Sequence, residues 1–278
     1  MKRILTIQDI SCVGKCSLTV ALPVISACGV ETAVLPTAVL STHTAFSSFT
    51  FRDLTEDIDK ISIEWQKQQI GFDALYSGYL GSFRQLELVA DIFKNFKTND
   101  NFILIDPVMG DHGKLYTGFD DKFAKSMATL CKHADIIVPN LTEAAFMLGI
   151  PYVEKDYSET CVKDVLKKLT DLGCKKAVLT GVCLNGKDLG VYGYDKQTGE
   201  YFSYFKEHLP FSFHGTGDIF ASTLCGALTR GKSLFDALKI AVDFTVESIS
   251  ASIKNPERKW YGVDFETALP YLINKINK

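Results

Sequence analysis

Short apolar segments alternate with longer amphipathic segments along the chain, and this alternation constrains the fold more than any other feature. Residues 3–8, 102–106 and 176–180 are apolar runs of the length of buried strands. Stretches of about ten to fifteen residues with helical spacing of their apolar side chains lie between such runs. Strands joined by helices form βαβ crossovers, so the pattern predicts a doubly wound α/β fold with a mostly parallel central sheet and helices on both faces.

The other predicted strands and helices continue this alternation until about residue 190. Strands are predicted at residues 32–36, 72–77 and 135–138, and helices at 17–28, 83–96, 120–132 and 158–172, with Gly29 as the cap of the first helix. A hairpin is predicted over residues 191–194 and 201–205, followed by helices at 217–229, 234–253 and 265–276. No linker-like segment or repeat interrupts the pattern, so we predict a single domain over residues 1–278.

Composition excludes several classes of protein. The 30 basic and 33 acidic side chains give a net charge of −3, which argues against a nucleic-acid-binding protein. The eight cysteines include no CxxC pair and no metal-ligand spacing with histidine, as expected for a chain kept reduced. No apolar run approaches the roughly eighteen residues of a membrane span. We therefore expect a cytoplasmic protein that binds neither nucleic acid nor a membrane.

Polar side chains follow six of the predicted strands at the points where those strands end. The carboxyl ends of parallel strands meet at one edge of the sheet, which is where open α/β folds bind their ligands. We therefore expect a ligand site at this edge. The polar groups are Asp9, residues 41–44 with Ser41, Thr42, His43 and Thr44, residues 77–79, residues 106–111, residues 139–143 and residues 180–181.

The sharpest single motif is His214-Gly215-Thr216-Gly217-Asp218, which immediately precedes an apolar helical segment. Glycines at a helix start allow a phosphate to approach the backbone, and the free N–H groups there attract anions. No Walker-type GxxxxGK[ST] motif occurs in the chain. Taken alone, the motif fits an anion cradle, and it also fits a tight loop in which Asp218 caps the helix.

Three motifs together resemble the ribokinase superfamily: residues 215–218, the Asp-Pro-Val-Met-Gly-Asp run at 106–111, and Pro139-Asn140 followed by Glu143. Within that superfamily, Ser41-Thr42-His43-Thr44 and residues 77–82 resemble the vitamin B6 (pyridoxal) kinases. The similarity extends from about residue 3 to about residue 255, in the expected order.

This resemblance implies ATP-dependent phosphorylation of the 5′-hydroxymethyl group of pyridoxal, pyridoxine or pyridoxamine. It implies that Asp218 is the catalytic base and that the backbone of Gly215, Thr216 and Gly217 forms the anion hole. It leaves open the use of a monovalent cation beside Mg²⁺, and it suggests a homodimer. The positions that match nucleotide contacts are Asp106, Asp111, Val138, Asn140, Glu143, Thr180 and Thr216, with Asp106 and Glu143 near Mg²⁺ and partly acting through waters.

The resemblance also assigns substrate-binding positions. Thr44 and Tyr79 match residues that line the pyridine pocket, and His43 matches either a substrate contact or a structural residue. Residues 111–116 match a flap over ATP and substrate, or else form a plain surface loop.

Asp9 departs from the family, because B6 kinases usually have a serine at this position. An ionised carboxylate only accepts hydrogen bonds and carries a charge, whereas a hydroxyl both donates and accepts. Asp9 therefore predicts that a substrate bearing a proton at the contacted atom, such as pyridoxamine or a protonated aminopyrimidine, is used at least as well as pyridoxal. Alternatively, Asp9 turns away and caps the segment that follows it.

Two other functions stay open at this point. One is phosphorylation of hydroxymethylpyrimidine in thiamine synthesis, by kinases that share the motifs near residues 106 and 140 but usually have a cysteine where this chain has Asp218. The other is a non-catalytic B6-binding protein on the same fold, since fold alone does not determine function.

Overall fold

A computed structural model describes the whole chain, residues 1–278. The chain forms two compact units. The first consists of Met1–Gly78 with Leu209–Lys278, and the second of Tyr79–His208. Each unit has its own layer of strands and its own helices.

The first unit begins with a layer of four strands. Its elements are β1 (Arg3–Val13), α1 (Leu18–Ala27), β2 (Glu31–Thr42), β3 (Phe51–Asp53), α2 (Thr55–Lys67) and β4 (Ala74–Ser77). The spatial order is β4-β1-β2-β3: β1 pairs in parallel with β4 and β2, and β3 pairs antiparallel with β2. The side chains of Ile4, Leu5 and Ile7 on β1 are fully buried, as expected for an inner strand of a parallel layer.

The predictions that the first strand ends at Gln8 and the second at Pro36 were wrong. β1 continues to Val13, so Asp9 lies within the strand and not after it. β2 continues to Thr42, so Ser41 and Thr42 belong to the strand and not to the loop after it. Proline lacks an N–H, and the ladder accommodates it with a bulge in which residues 37 and 38 lie opposite Asp9 alone. Ala38 then pairs with Asp53 of β3, a strand that the sequence pattern did not predict.

The second unit contains seven strands and four helices. Its elements are α3 (Phe83–Phe96), β5 (Phe102–Ile105), β6 (Gly110–Asp111), β7 (Lys114–Leu115), α4 (Asp121–Leu130), β8 (Ile136–Ile137), α5 (Leu141–Leu148), α6 (Glu159–Asp171), β9 (Lys176–Val182), β10 (Asp188–Asp195) and β11 (Glu200–Glu207). Five strands lie in the order β11-β10-β9-β8-β5, parallel from β5 to β9 and antiparallel from β9 to β11. The predicted hairpin is therefore confirmed as β10 and β11. A second, short hairpin is formed by β6 and β7.

Side-chain caps fix where several helices of the second unit begin. Ser82 accepts a hydrogen bond from the backbone N–H of Gln85, which starts α3. Asp120 accepts one from the N–H of Phe123 at 2.8 Å, which starts α4. Both residue types are favoured at this position, because their oxygens satisfy N–H groups that the helix leaves unpaired.

The chain returns to the first unit with α7 (Thr216–Thr229), α8 (Leu234–Lys254) and α9 (Leu269–Ile276). α7 packs on α1 at Gly226, where a β-carbon would lie 2.7 Å from the sulfur of Cys28. Cys28 is the C-cap of α1, and the predicted cap Gly29 follows it with a left-handed φ of 75°. The predicted α/β class with mostly parallel strands is confirmed.

Two other predictions can be compared with the structure. All eight cysteines are free thiols. None of the helices combines the length and the apolar character that a membrane crossing requires.

Candidate active site

Asp218 lies in the first turn of α7, where it follows the glycine motif directly. Gly215 is the N-cap of this helix in a left-handed conformation, with φ of 83°, and no side chain caps the helix. The alternative in which Asp218 caps the helix is therefore wrong. The first N–H groups of α7 receive no side-chain cap, which is the arrangement that binds anions at helix N-termini.

The loop before α1 packs against this helix start. Its last residue, Ser17, is the buried N-cap of α1 and has φ of 49° and ψ of −134°, a backbone conformation that residues other than glycine rarely adopt. The Ser17 amide interacts with the carboxylate of Asp218, and the Ser17 hydroxyl interacts with the carboxyl group of Asp9. Ser17 therefore links two acidic residues that lie far apart in the sequence.

Asp9 is 4% exposed and accepts a hydrogen bond of 3.0 Å from the hydroxyl of Ser11. Burial raises the pKa of Asp9 above its usual value. Burial is also the main cause that raises the pKa of Asp218 to about 7, and the negative charge of Asp9 adds to it. A carboxylate that titrates near neutrality is well matched to the work of a general base.

Cys16 lies beside the same two carboxyl groups. Burial, followed by the negative charges of Asp218 and Asp9, raises the pKa of the Cys16 thiol well above its usual range. The thiol is therefore neutral at physiological pH and is not activated as a nucleophile.

His43 is buried, and backbone groups occupy both of its ring nitrogens. Its Nδ1 accepts a hydrogen bond from the N–H of Ala45 at 3.2 Å, which leaves Nε2 to donate to the carbonyl of Tyr261 at 2.9 Å. The His43 ring lies 5.0 Å from the ring of His214, centroid to centroid. Of the two roles predicted for His43, these contacts favour the structural one. Thr44 follows it in an exposed turn.

Lys15 anchors the loop before α1. Its Nζ donates to Asp264 at 2.6 Å and to Glu266 at 3.0 Å. A β-carbon on Gly262 would overlap the Lys15 side chain, so the loop is held closely from this side as well.

In the second unit, the start of α5 holds two of the predicted nucleotide residues. Asn140 is the N-cap and accepts from the N–H of Glu143 at 2.9 Å, and Glu143 Oε2 accepts from the N–H of Asn140 at 2.8 Å. This is a complete capping box. Glu143 Oε1 also accepts from the N–H of Met109 at 3.2 Å. Burial raises the pKa of Glu143 to about 8.

The same helix start contacts the hairpin of β6 and β7. The side-chain amide of Asn140 donates to the carbonyl of Gly110 at 2.9 Å, and the hydroxyl of Thr142 accepts from the N–H of Gly113 at 2.9 Å. The segment predicted to be a flap or a plain loop is thus an ordered hairpin with exposed Asp111 at its edge.

Three other predicted residues lie at strand ends of this unit. Asp106 follows β5 and is 7% exposed. Val138 follows β8, is buried, and donates its N–H to the carbonyl of Ile105. Thr180 lies on β9 beside Asn140, to which it is joined by an isolated β-bridge. Asp106, Val138 and Asn140 therefore follow the carboxyl ends of neighbouring strands, as the sequence predicts.

The last two predicted residues are Tyr79 in the second unit and Thr216 at the start of α7 in the first. Tyr79 is half-buried, with its ring 5.6 Å from that of Phe119. The hydroxyl of Thr216 donates to the carbonyl of Phe213 at 3.3 Å.

The structure thus brings Asp9 and Asp218 together in the first unit, and Asn140 and Glu143 together in the second. Sequence reasoning missed Ser11 and Ser17, which contact the two acidic residues. Thr142, which contacts the hairpin, lies within the predicted polar group at residues 139–143 but was given no role. A serine at a helix start gives no signal of a left-handed backbone, so Ser17 could not have been singled out.

Comparison with known proteins shows which family this chain belongs to. The family model described as phosphomethylpyrimidine kinase matches residues 20–261. A crystal structure from Bacteroides thetaiotaomicron VPI-5482, described as a candidate phosphomethylpyrimidine kinase in a form with pyridoxal, is 40% identical, covers 98% of this chain and 95% of that chain, and has a TM-score of 0.93.

Two other similar proteins carry different names. A pyridoxal kinase structure from Lactobacillus plantarum is 30% identical, with 99% of this chain and 97% of that chain covered and a TM-score of 0.89. The hydroxymethylpyrimidine/phosphomethylpyrimidine kinase of Aquifex aeolicus (strain VF5) is 32% identical over 64% of this chain and 67% of its own length.

This chain therefore belongs to the phosphomethylpyrimidine kinase family, and it is a kinase of ribokinase-like fold.

Proposed function

We propose that this protein transfers the γ-phosphoryl group of ATP to the 5′-hydroxymethyl group of a vitamin B6 vitamer, in salvage of pyridoxal 5′-phosphate. The observation that carries the proposal is Asp218, a carboxyl group with its pKa raised to about 7, placed in the first turn of a helix whose start has no side-chain cap. Transfer of a phosphoryl group to an alcohol requires a base and an anion-binding site, and in this chain the two are adjacent in the sequence. The similar structure with pyridoxal supports the choice of alcohol.

Asp218 acts as the general base. The 5′-hydroxyl of the vitamer gives its proton to the Asp218 carboxylate while its oxygen attacks the γ-phosphorus, and the bond to the β-phosphate oxygen breaks to leave ADP. The amide of Ser17 and the nearby charge of Asp9 set the environment in which Asp218 accepts this proton.

The backbone of Gly215, Thr216 and Gly217 stabilises the negative charge that develops on the transferred group. Amides that point at the charge before the reaction begins need no reorganisation, so they lower the barrier efficiently. Gly215 has a left-handed backbone, so the chain enters α7 through a turn that favours glycine, and no side chain caps the helix start.

The second unit contributes the nucleotide-binding residues. Val138 and Asn140 follow β8, Thr180 lies on the neighbouring β9, and all three are proposed to contact ATP, with Asp111 on the adjoining hairpin. Tyr79 and Thr44 are proposed to contact the vitamer. Each of these assignments rests on the match to the family motifs together with the position at a strand end.

Mg²⁺ is proposed to accompany ATP, near Asp106 and Glu143. Their carboxylates are the hard oxygen donors that Mg²⁺ prefers, and no cluster of three or more metal-binding side chains is present, which fits an ion held largely by phosphates and water. Both oxygens of Glu143 already accept backbone hydrogen bonds, so its contact with the ion is proposed to pass through water. The ion would neutralise charge on the phosphates.

The second candidate is phosphorylation of hydroxymethylpyrimidine, which the family name and the Aquifex relative favour. Asp218 counts against it, because those kinases usually have a cysteine at this position. The third candidate is a non-catalytic B6-binding protein. The presence of Asp218, of the glycines at 215 and 217 and of the acidic residues at the nucleotide positions counts against it.

The experiment that tests the proposal measures ADP release with pyridoxal, pyridoxine, pyridoxamine and hydroxymethylpyrimidine, each with Mg-ATP. Release that depends on a vitamer supports the proposal. Release only with the pyrimidine supports the second candidate, and no release with any of the four supports a binding protein.

Three further proposals accompany this function. We infer that the 278 residues work as one kinase domain, that the enzyme is a cytoplasmic protein, and that it is a homodimer. Sedimentation of the purified protein measures the last of these directly.

A further inference from the structure

The hairpin of β6 and β7 has an unusual tip. Both tip residues, His112 and Gly113, have left-handed backbones, with φ of 49° and 73°. Such a tip suits the twist of a two-residue hairpin but strains a residue such as histidine. The hairpin has only two residues in each strand, so its own hydrogen bonds hold it weakly.

Two side chains from outside the hairpin contact its tip. The hydroxyl of Thr142, which is 2% exposed in the first turn of α5, accepts the N–H of Gly113 at 2.9 Å. The ring of Tyr152 also lies against Gly113, where a β-carbon would meet ring carbon Cδ1 at 2.6 Å. The Tyr152 hydroxyl also interacts with the Thr142 hydroxyl.

We propose that Thr142 and Tyr152 form a latch that holds the β6–β7 hairpin against α5. Thr142 is a positioning residue: it acts on the hairpin and needs no contact with substrate. Only the consequence for ATP binding rests on the proposed function, because it assumes that the hairpin covers the nucleotide. The latch itself is a property of the second unit alone.

The hairpin also makes hydrogen bonds at its base, and these should depend on the latch if the latch holds the whole hairpin. The N–H of Tyr116 donates to the carbonyl of Met109 at 2.9 Å, and the N–H of Met109 donates to Glu143. Neither hydrogen bond involves Thr142. If the latch holds the whole hairpin, its loss makes these two amides exchange faster. If Thr142 only accepts one hydrogen bond locally, the amide of Gly113 alone is affected.

The test is residue-resolved hydrogen exchange of the ligand-free full chain, with Thr142→Val against Thr142→Ser. Valine keeps the shape and removes the acceptor, whereas serine keeps it. We expect about ten-fold faster exchange at Gly113 in the valine variant, because a lost hydrogen bond of ordinary strength changes an opening equilibrium by that order. We expect at least about three-fold faster exchange at Met109 and Tyr116, and wild-type rates in the serine variant.

Wild-type rates at Met109 and Tyr116 in the valine variant would overturn the proposal. Exchange of residues 177–179 in β9 serves as the reference for intact folding. If the valine variant also loses exchange protection at residues 177–179, the Tyr152→Ala variant is used to test the latch instead. It removes the ring from the hairpin tip and keeps Thr142. Unchanged exchange at Met109 and Tyr116 in Tyr152→Ala then overturns the latch.

Steady-state kinetics of the same variants distinguish the latch itself from the proposed role of the hairpin in ATP binding. With the hairpin loosened, we expect KM for ATP to rise several-fold while kcat changes less than two-fold. Faster exchange with an unchanged KM supports the latch and contradicts a covering role for the hairpin. Unchanged exchange contradicts the latch whatever the kinetics show.

Discussion

Gly215 and Lys15 pack backbone against backbone: a β-carbon on Gly215 would overlap the carbonyl oxygen of Lys15. This contact joins the anion-binding start of α7 to the loop before α1. The loop in turn presents Ser17 to Asp218. The base and the loop that positions it are therefore held together by a glycine that no other residue can replace.

Replacing Gly215 with alanine should remove most activity and destabilise the fold. The new methyl group meets the Lys15 carbonyl, and φ of 83° adds backbone strain. Gly231→Ala is the matched control, because Gly231 has φ of 87° but no atom within 4 Å of a β-carbon. We expect the Gly231 variant to lose only about 1 kcal/mol of unfolding free energy and to keep full activity. Equal losses in the two variants, measured by urea unfolding, would contradict the packing argument.

Asp218→Asn should lower kcat by roughly 10²–10⁴, the usual size of an acid–base contribution. The amide keeps the shape of the carboxylate and leaves the helix start unchanged, so KM for ATP should change little. Asp236→Asn is the control, since Asp236 occupies the first turn of α8 in the same way but is exposed. Near wild-type kcat in the Asp218 variant would show that another group is the base.

Activity and stability should respond to pH in opposite directions. Burial raises the pKa of Asp218 from 3.8 to about 7, so the folded protein binds this proton more tightly than the unfolded chain. The stabilisation is complete below about pH 4 and is lost as the pH rises to about 7. Activity needs the ionised base and should instead fall about ten-fold per pH unit below that value.

Urea midpoints of wild type and Asp218→Asn between pH 5 and pH 8 check this linkage. The asparagine variant should be the more stable of the two at pH 8, where the ionised Asp218 of the wild type is partly desolvated. Its advantage should shrink towards pH 5. A constant difference across this range would mean that the pKa of Asp218 is not raised in the folded protein.

The sequence allowed the fold to be predicted because alternation of short strands and longer helices admits few architectures. Several site motifs were predictable for the same reason, since Asp106, Val138 and Asn140 follow strands. What could not be predicted depends on long-range packing. β2 runs through Pro36 only because a bulge forms opposite Asp9, and β3 exists only because β2 offers it an edge.

The hydrogen-bond partners of individual polar atoms also could not be predicted from the sequence. His43 carries a motif that suggests substrate binding, yet the carbonyl of Tyr261, which lies far away in the chain, occupies its Nε2. Glu143 carries a motif that suggests a metal, yet its oxygens hold the N–H groups of Met109 and Asn140. In both cases the sequence motif was recognised, but the sequence did not show that a backbone group hydrogen-bonds to the same side-chain atoms.

Asp9→Ser should change which vitamer is preferred. A buried carboxylate beside Asp218 favours a substrate that brings a proton or a positive charge, so the wild type should use pyridoxamine at least as well as pyridoxal. A serine removes the charge, and the ratio of kcat/KM for pyridoxamine over pyridoxal should fall on the order of ten-fold, the factor that about 1.4 kcal/mol represents. Steady-state kinetics with both vitamers measure the ratio. Equal ratios in the two proteins would support the alternative in which Asp9 turns away from the substrate and caps the segment that follows it.

The central claim is that this kinase phosphorylates a B6 vitamer and not a thiamine precursor. The most direct measurement is a competition: equimolar pyridoxal, pyridoxamine and hydroxymethylpyrimidine in one vessel with limiting Mg-ATP, with the products quantified by mass spectrometry. Product ratios then report the ratios of kcat/KM directly. We predict that the vitamer phosphates exceed the pyrimidine phosphate by about a hundred-fold or more, since a site that hydrogen-bonds one substrate strongly rejects an analogue that leaves those groups unpaired. An excess of hydroxymethylpyrimidine phosphate would contradict the account.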